Sequence, residues 1–282
     1  MTAASDSNSV FKKRKLFFST TIISFGASSL VCLNKEWYNK YNTSHFHVFD
    51  DHKEWLQMDK VGHMYSTYQG TRLLLESSKW AGFNRKQQIL ISGISSLSYM
   101  TTIEIMDGYS SGWGFSWSDM IANGFGIGMA MAQKGLWNEQ RMQLKFMYYP
   151  SIFAKYNQPL LGANVGENIL KDYNGQTYWL SINPSSFISN QKYFPKWLNL
   201  AFGYGANGMV NAQNNSVVTH DQFGNQLVFN RYRQFYFSLD ADLTRIKTKS
   251  KVLKTLFSII NCIKIPFPSI EFSEKKITFN LY

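Results

Sequence analysis

Glu104-Ile105-Met106-Asp107-Gly108, followed after a Gly/Ser/aromatic loop by Ser116-Trp117-Ser118-Asp119-Met120-Ile121-Ala122-Asn123-Gly124, decides how the first half of this chain is read. Upstream of Glu104, from about Gln87, the residues carry no charge and are rich in Ile, Leu, Ser and Met. A helix that is apolar on most sides is buried or sits in lipid. Leu97, Met100 and Glu104 fall on one stripe of it, at steps of three and four, and Glu104 and Asp107 are three apart and converge on one face. A carboxylate on such a stripe is costly unless it is paired or protonated; a frayed end open to water is the alternative. Ser116-x-x-Asp119 is close to a capping box and predicts a third helix, to about Gln133. Asp119 and Asn123 share a face of it, and Gly124 and Gly128, with Gly126 between them, form the Gly-x-x-x-Gly of a close-packing helix face.

Working back toward the N-terminus, the first of these helices is expected from about Lys60 to Trp80. Val61, Met64, Tyr65, Tyr68, Arg72 and Leu75 make one stripe at helical spacing. The opposite face carries Asp59, His63, Ser66, Thr67 and Gly70, and Asp59 and His63 lie one turn apart. If consecutive helices run up and down with short loops, the start of the first, the end of the second and the start of the third meet at one end of the bundle. Asp59, His63, Glu104, Asp107, Asp119 and Asn123 are then the candidate cluster. Two readings stay open. In one, the cluster is a polar network that locks three helices, with Asp59 and Asp119 also serving as helix caps. In the other, His63, Glu104, Asp107 and Asp119 hold one divalent metal ion, or the carboxylates form a metal-free acid/base site.

The chain ahead of this module looks like an export leader. Lys12-Lys13-Arg14-Lys15 precedes the 18 uncharged residues Leu16 to Leu33, the shape of a signal peptide or signal anchor, and the run is long enough to just span a bilayer. Ala27 and Ser29 suit cleavage after Ser29. Of the two cysteines, Cys32 lies in the leader behind Val31, where a lipoprotein site needs a small residue; with Cys262 it supports neither a disulfide framework nor a Cys-based zinc site. Residues 34–58 form an aromatic linker with His45, His47 and His52. His45 and His47 share one face if the segment is a strand; a surface role and a metal role are both open to them.

After Trp137 the character changes. Residues 138–170 read as a mixed connector with short helical pieces. Asn174-Gly175 and Asn207-Gly208 are turns. Strands are expected at Thr177–Ile182, within Trp197–Met209, and at Phe235–Leu243, where Phe235, Phe237, Leu239, Ala241 and Leu243 alternate with Tyr236, Ser238, Asp240 and Asp242. Val252–Ile263 reads as a short amphipathic helix beside the basic run Arg245–Lys254. Ile270–Tyr282 reads as one or two closing strands. Four to six strands fall short of the eight a full outer-membrane barrel needs.

The ordered motifs Asp59-Lys60-x-x-His63, Glu104-x-x-Asp107 and Ser116-x-x-Asp119-x-x-x-Asn123-x-x-Gly126 resemble the YfiM-like family of predicted bacterial envelope lipoproteins, and their order is similar to that of VanZ-like membrane proteins. The resemblance covers residues 55–137. Gly112-Trp113-Gly114-Phe115 stands where VanZ-like proteins often carry an Arg. The segment Leu170–Trp179 resembles longer members with a β-rich extension. The resemblance implies an envelope or membrane setting and no established reaction.

Together these readings give an α+β chain. A leader or anchor (1–33) and an aromatic linker (34–58) precede a small membrane-associated bundle of three helices (59–137), and a β-rich region (138–282) follows. The expected setting is the bacterial cell envelope, facing the periplasm or in the outer membrane. The high aromatic content of 16% suits a surface that is dry at one end and wet at the other. The net charge of +11 comes without a nucleic-acid motif, so no nucleic-acid partner is expected. Membrane lipid or an envelope component is the expected partner, with a homo-oligomer through the Gly124/Gly128 face. The function expected is non-catalytic, a polar-locked helical module with a β-rich binding region. The alternative is a metal-dependent hydrolase acting on a phospho- or acyl-lipid at the membrane surface, with Asp119 or Glu104 as general base.

Overall fold

The computed structural model describes residues 2–36, 38–188, 194–214, 216–220, 225–274 and 276–281. Trp37 and Tyr282, the latter expected to end the last strand, lie outside them. Helices fill the first half and an antiparallel sheet the second, an α+β fold. Contacts divide the chain into two compact units, Met1–His52 with Ser66–Gln140, and Lys53–Tyr65 with Arg141–Tyr282.

The first unit holds α1 (Thr2–Glu36), most of α2 (Met58–Trp80), α3 (Arg85–Gly108) and α4 (Trp117–Trp137). Among the described residues, two helical stretches, Ser9–Lys35 and Arg85–Gly108, are long and apolar enough to cross a membrane. The ends of α3 and α4 are fixed by local chemistry. Asn84 and Gln87 form a reciprocal capping box ahead of α3, which satisfies two otherwise orphaned backbone donors. Ser116 caps α4 by accepting from the backbone N–H of Asp119, and α4 stops at Asn138, which adopts a left-handed conformation with φ 59°. Thr71 donates to Ser96 at 2.8 Å and ties α2 to α3. α3 and α4 approach closely at Gly93, where an added Cβ would lie 2.5 Å from the sulfur of Met131. Gly124 and Gly128, by contrast, have nothing within 4 Å of their Cβ positions.

The second unit is built on a six-stranded sheet in the order β1-β2-β3-β6-β7-β8. Its strands are β1 (Met142–Tyr148), β2 (Gln176–Ile182), β3 (Leu198–Asn207), β6 (Tyr232–Ala241), β7 (Ser269–Ser273) and β8 (Lys276–Asn280). A separate hairpin pairs β4 (Ser216–His220) with β5 (Gln226–Asn230). Short helices α5 (Gln158–Leu161) and α6 (Val165–Lys171) sit between β1 and β2, and α7 (Lys251–Ile260) between β6 and β7. The segment read as a connector thus contains β1. Its inward positions are Gln143 and Lys145, polar residues that hide a strand from any hydrophobic pattern.

The register puts apolar residues in continuous rows across the sheet. Leu144, Leu180, Phe202, Phe237, Ile270 and Phe279 form one row. Phe146, Tyr178, Tyr204, Phe235, Phe272 and Ile277 form the next. The other face carries Ser181, Ala201, Ser238 and Ser269 in one row and Asn199 paired with Asp240 in another. The alternation read from Phe235 onward is therefore present, but its sense is inverted for a water-soluble sheet. Ser181, Asn199 and Asp240 are fully buried, whereas Phe235 is 53% exposed and Phe279 65%.

The polar face is buried because the sheet curls around it. Lys145 on β1 and Asp240 on β6 form a fully buried ion pair at 2.8 Å, although β2 and β3 lie between their strands. Neighbouring strands are about 4.8 Å apart, so a flat sheet would hold these two too far apart to meet. Ser181 and the backbone N–H of Ile265 also donate to Asp240. Asn261 accepts from Lys145 and donates to Asp242, which in turn accepts from Gln143. At the β1–β3 end the apolar face is covered by Leu56 and Met58, which cluster with Tyr178, Ala206 and Met209.

Candidate functional site

The candidate residues fall into two sets, one in each unit. The first is built around the start of α2. Trp55, Leu56 and Gln57 all have positive φ, at 48°, 50° and 65°, a region that costs a residue with a Cβ about 1–3 kcal/mol. The second unit holds this turn in place. The backbone N–H of Trp55 donates to Ala212 at 2.9 Å, Tyr204 donates to the Leu56 carbonyl, and Arg233 donates to Gln57. The turn fixes where α2 starts, and Asp59 follows one residue inside it.

Asp59 is enclosed by donors. Tyr173 donates to its Oδ1 at 2.7 Å, and Lys60 reaches Oδ2 at 2.8 Å. His63 Nε2 stands 3.8 Å from Oδ1, too far for a hydrogen bond but close enough for its charge to act. Tyr178 donates to Gln176 at 2.7 Å. Its hydroxyl lies only 2.8 Å from where a Cβ on residue 62 would sit, so Gly62 is what lets that ring reach α2. Burial pushes the Asp59 carboxyl upward, but His63, Lys60 and the Tyr173 hydrogen bond outweigh it and hold Asp59 below its ordinary 3.8. Burial, with the Asp59 charge second, pushes the Tyr178 phenol up, so it stays neutral.

A carboxylate with a lowered folded pKa contributes stability that is fully present above its unfolded value and is lost as pH falls through the folded one. The second unit is therefore expected to lose stability as pH drops below about 3.8. In Asp59→Asn the loss over that window should be smaller than in the wild type. Thermal unfolding from pH 6 to pH 2.5 measures the difference; identical acid profiles would show that Asp59 is not held this way.

The second set belongs to the first unit. Tyr38 donates to Asp107 at 2.6 Å. Burial first, then the charge of Asp107 and more weakly that of Glu104, raises the Tyr38 phenol far above its usual range. Asn123 of α4 donates to Glu104 of α3 at 3.4 Å, and both are almost fully buried. The end of α3 and the start of α4 therefore meet as expected, and Glu104 and Asp107 both act on one phenol. Asp119 is buried one turn before Asn123 on α4. Ser116 and Ser118 donate to Asp51 at 2.6 and 2.7 Å, so the cap of α4 is itself anchored.

Residues 47–134 match the family described as predicted periplasmic lipoprotein (DUF2279). No curated protein and no solved structure matches the chain. The matched stretch contains Asp51, Asp59, His63 and the whole set on α3 and α4, and ends before the sheet. It agrees with an uncharacterised envelope family and with a membrane-associated place in the cell envelope.

Three residues that complete these sets were not singled out as site residues in the sequence: Tyr38, Asp51 and Tyr173. Tyr38 sits in the aromatic linker, where nothing separates it from its neighbours. Asp51 looks like one more polar residue ahead of a helix. Tyr173 lies outside the matched stretch, just ahead of the Asn174-Gly175 turn, which by itself marks no site. The histidines of the linker make local contacts. His52 pairs with Asp50, and His47 lies against Ser44 and the carbonyl of His45.

Proposed function

We propose that the chain is a non-catalytic envelope protein in which a polar-locked helical module carries a β-rich binding region. The observation that carries this reading is that three of the four carboxylates of the candidate cluster each accept a hydrogen bond from a residue outside their own helix. Asp107 takes the Tyr38 hydroxyl, Glu104 takes Asn123, and Asp59 takes Tyr173 and Lys60. Hydrogen bonds to a charged group contribute about 1.5–3 kcal/mol each, enough to hold short-range order among helices with small side chains. On this reading the leader (1–33) places the module (59–137) at the membrane, and the Gly124/Gly128 face, open in the monomer, takes a second copy. The finer kinship with YfiM-like and VanZ-like proteins, which rests on motif order, belongs to the same proposal.

A second reading has one observation in its favour. Asp59 and His63 face each other without a direct hydrogen bond, and a carboxylate and an imidazole are both ligands of divalent ions. A metal-dependent hydrolase would use His63 with Asp119, Glu104 and Asp107 as the remaining ligands.

Thermal unfolding of the full chain separates the two. Tyr38→Phe and Asp107→Asn are each expected to lower stability by about 1.5–3 kcal/mol, a fall of several degrees in Tm, whether or not zinc or manganese is present. An unchanged Tm in both variants would sink the lock. A Tm raised by the ion in the wild type but not in His63→Ala would favour the hydrolase.

A further inference from the structure

The sheet of the second unit turns its apolar rows outward and its polar rows inward. In an antiparallel sheet with one face in water, the apolar side packs and the polar side is solvated. Here Phe202, Phe235, Phe272 and Phe279 are each about half exposed or more. On the opposite face Lys145, Ser181, Asn199 and Asp240 are completely buried. Alternation of apolar-out with polar-in is the pattern of strands that face lipid. Most of the polar face is satisfied internally, since Lys145, Asp240, Ser181, Asn261 and Gln143 bond one another. A sheet whose polar groups are paired internally is the kind that tolerates an apolar environment.

Charge points to the same occupant. α7 carries Val252, Leu256 and Ile259 exposed, at spacings that put them on one helix face. Lys247, Lys249, Lys251 and Lys254 lie on or just before it. A short basic helix with an exposed apolar face suits anionic headgroups. Strand length then decides between lying on and crossing the bilayer. A spanning strand needs about 9–11 residues; β3 and β6 reach ten, but β1 and β2 have seven and β7 and β8 five each, so the sheet as a whole is too short to cross.

We propose that the outward rows of β3, β6, β7 and β8, together with α7, form a lipid-binding surface that lies in the interface of an anionic membrane, its aromatic rows among the acyl chains. This names the partner of the β-rich region in the function proposed above. It rests on that part of the reading and not on the polar lock.

The test uses the full chain in vesicles of phosphatidylglycerol and phosphatidylcholine that contain a lipid with a photoreactive diazirine in its acyl chain. Cross-linked peptides are mapped by mass spectrometry. Labels are expected on residues 232–241 and 269–280 as well as on the leader helix. Phe237→Asp with Phe272→Asp should cut the sheet labels several-fold and leave those on the leader helix. Both side chains are exposed, so circular dichroism should be unchanged; Phe237→Ser with Phe272→Ser serves as a milder pair. Replacing Lys249, Lys251 and Lys254 by Gln should reduce sheet labelling to the level seen in pure phosphatidylcholine. Labels confined to the leader helix and α3 would overturn the proposal. So would protein–protein cross-links joining the sheets of two copies in place of lipid labels. Sheet labelling indifferent to both anionic lipid and the lysines would overturn the role of α7. The polar lock is read from the Tm of Tyr38→Phe and survives any of these outcomes.

Discussion

Asp240→Ala is expected to destabilise the second unit by about 3–5 kcal/mol, the cost of leaving a buried charge without its partner. The orphan is the Lys145 ammonium, fully buried and 2.8 Å from the carboxylate. Its remaining contacts, the Ala241 carbonyl and the Asn261 side chain, are neutral acceptors. The same change strips an acceptor from Ser181 and from the backbone N–H of Ile265. Lys145→Met should cost a similar amount by stranding Asp240. Lys145→Met with Asp240→Ala should cost clearly less than the two single changes added, because the charges disappear together. Denaturant unfolding followed through Trp179 fluorescence reads this, since that indole is buried and lies beneath the Lys264 ammonium. Additive losses would show that the two side chains do not depend on each other. Lys264 adds a pH dependence of its own. Burial, with the Lys145 charge, pulls its ammonium down to about 8 against a smaller opposing effect of Asp240. The unfolded chain then binds more protons than the folded one between about pH 8 and 10.5, so this residue's contribution to stability improves as pH rises through that window.

Gly208→Ala is expected to be nearly as damaging and to reach the candidate site from a distance. Gly208 has φ +77°, and a Cβ there would sit 2.0 Å from the backbone oxygen of Asn230. The left-handed conformation costs an alanine about 1–2 kcal/mol, and forcing the neighbouring backbone aside adds about 1–3 kcal/mol. The next residue, Met209, is joined to Asn174 by two hydrogen bonds, at 2.7 and 2.8 Å. Asn174 follows Tyr173, the residue that holds Asp59. Gly208→Ala should therefore lower Tm and also blunt the acid sensitivity assigned to Asp59. Gly205→Ala is the control, because a Cβ there meets the Tyr236 ring at 3.3 Å, and a side chain can give way where backbone cannot. Equal losses in the two variants would remove the special role of Gly208.

The helical half of this fold was legible because its signals are local. Ser116 and Asp119 are three residues apart, and Glu104 lies on a stripe with Leu97 and Met100. The sheet was legible where apolar residues alternate, as at Phe235–Leu243. It failed at β1, because a strand whose buried positions are Gln143 and Lys145 cannot be told from a polar connector. The direction of the alternation was not readable either. Alternation says that two faces differ, not which one meets solvent. The site was half legible for the same reason. Glu104 with Asn123 followed from helix order, but Tyr38 reaches Asp107 across 69 positions and Tyr173 reaches Asp59 across 114. No spacing rule covers such distances.

That last separation sets the order in which the molecule can be made. The left-handed turn at Trp55–Gln57 is held by residues 204, 212 and 233, which leave the ribosome long after it does. Contacts this remote in sequence form slowly. Until the third strand of the sheet has been made, the turn ahead of α2 lacks the hydrogen bond from Tyr204. A chain halted before that point would present Leu56 and Met58 without Ala206 and Met209 to cover them.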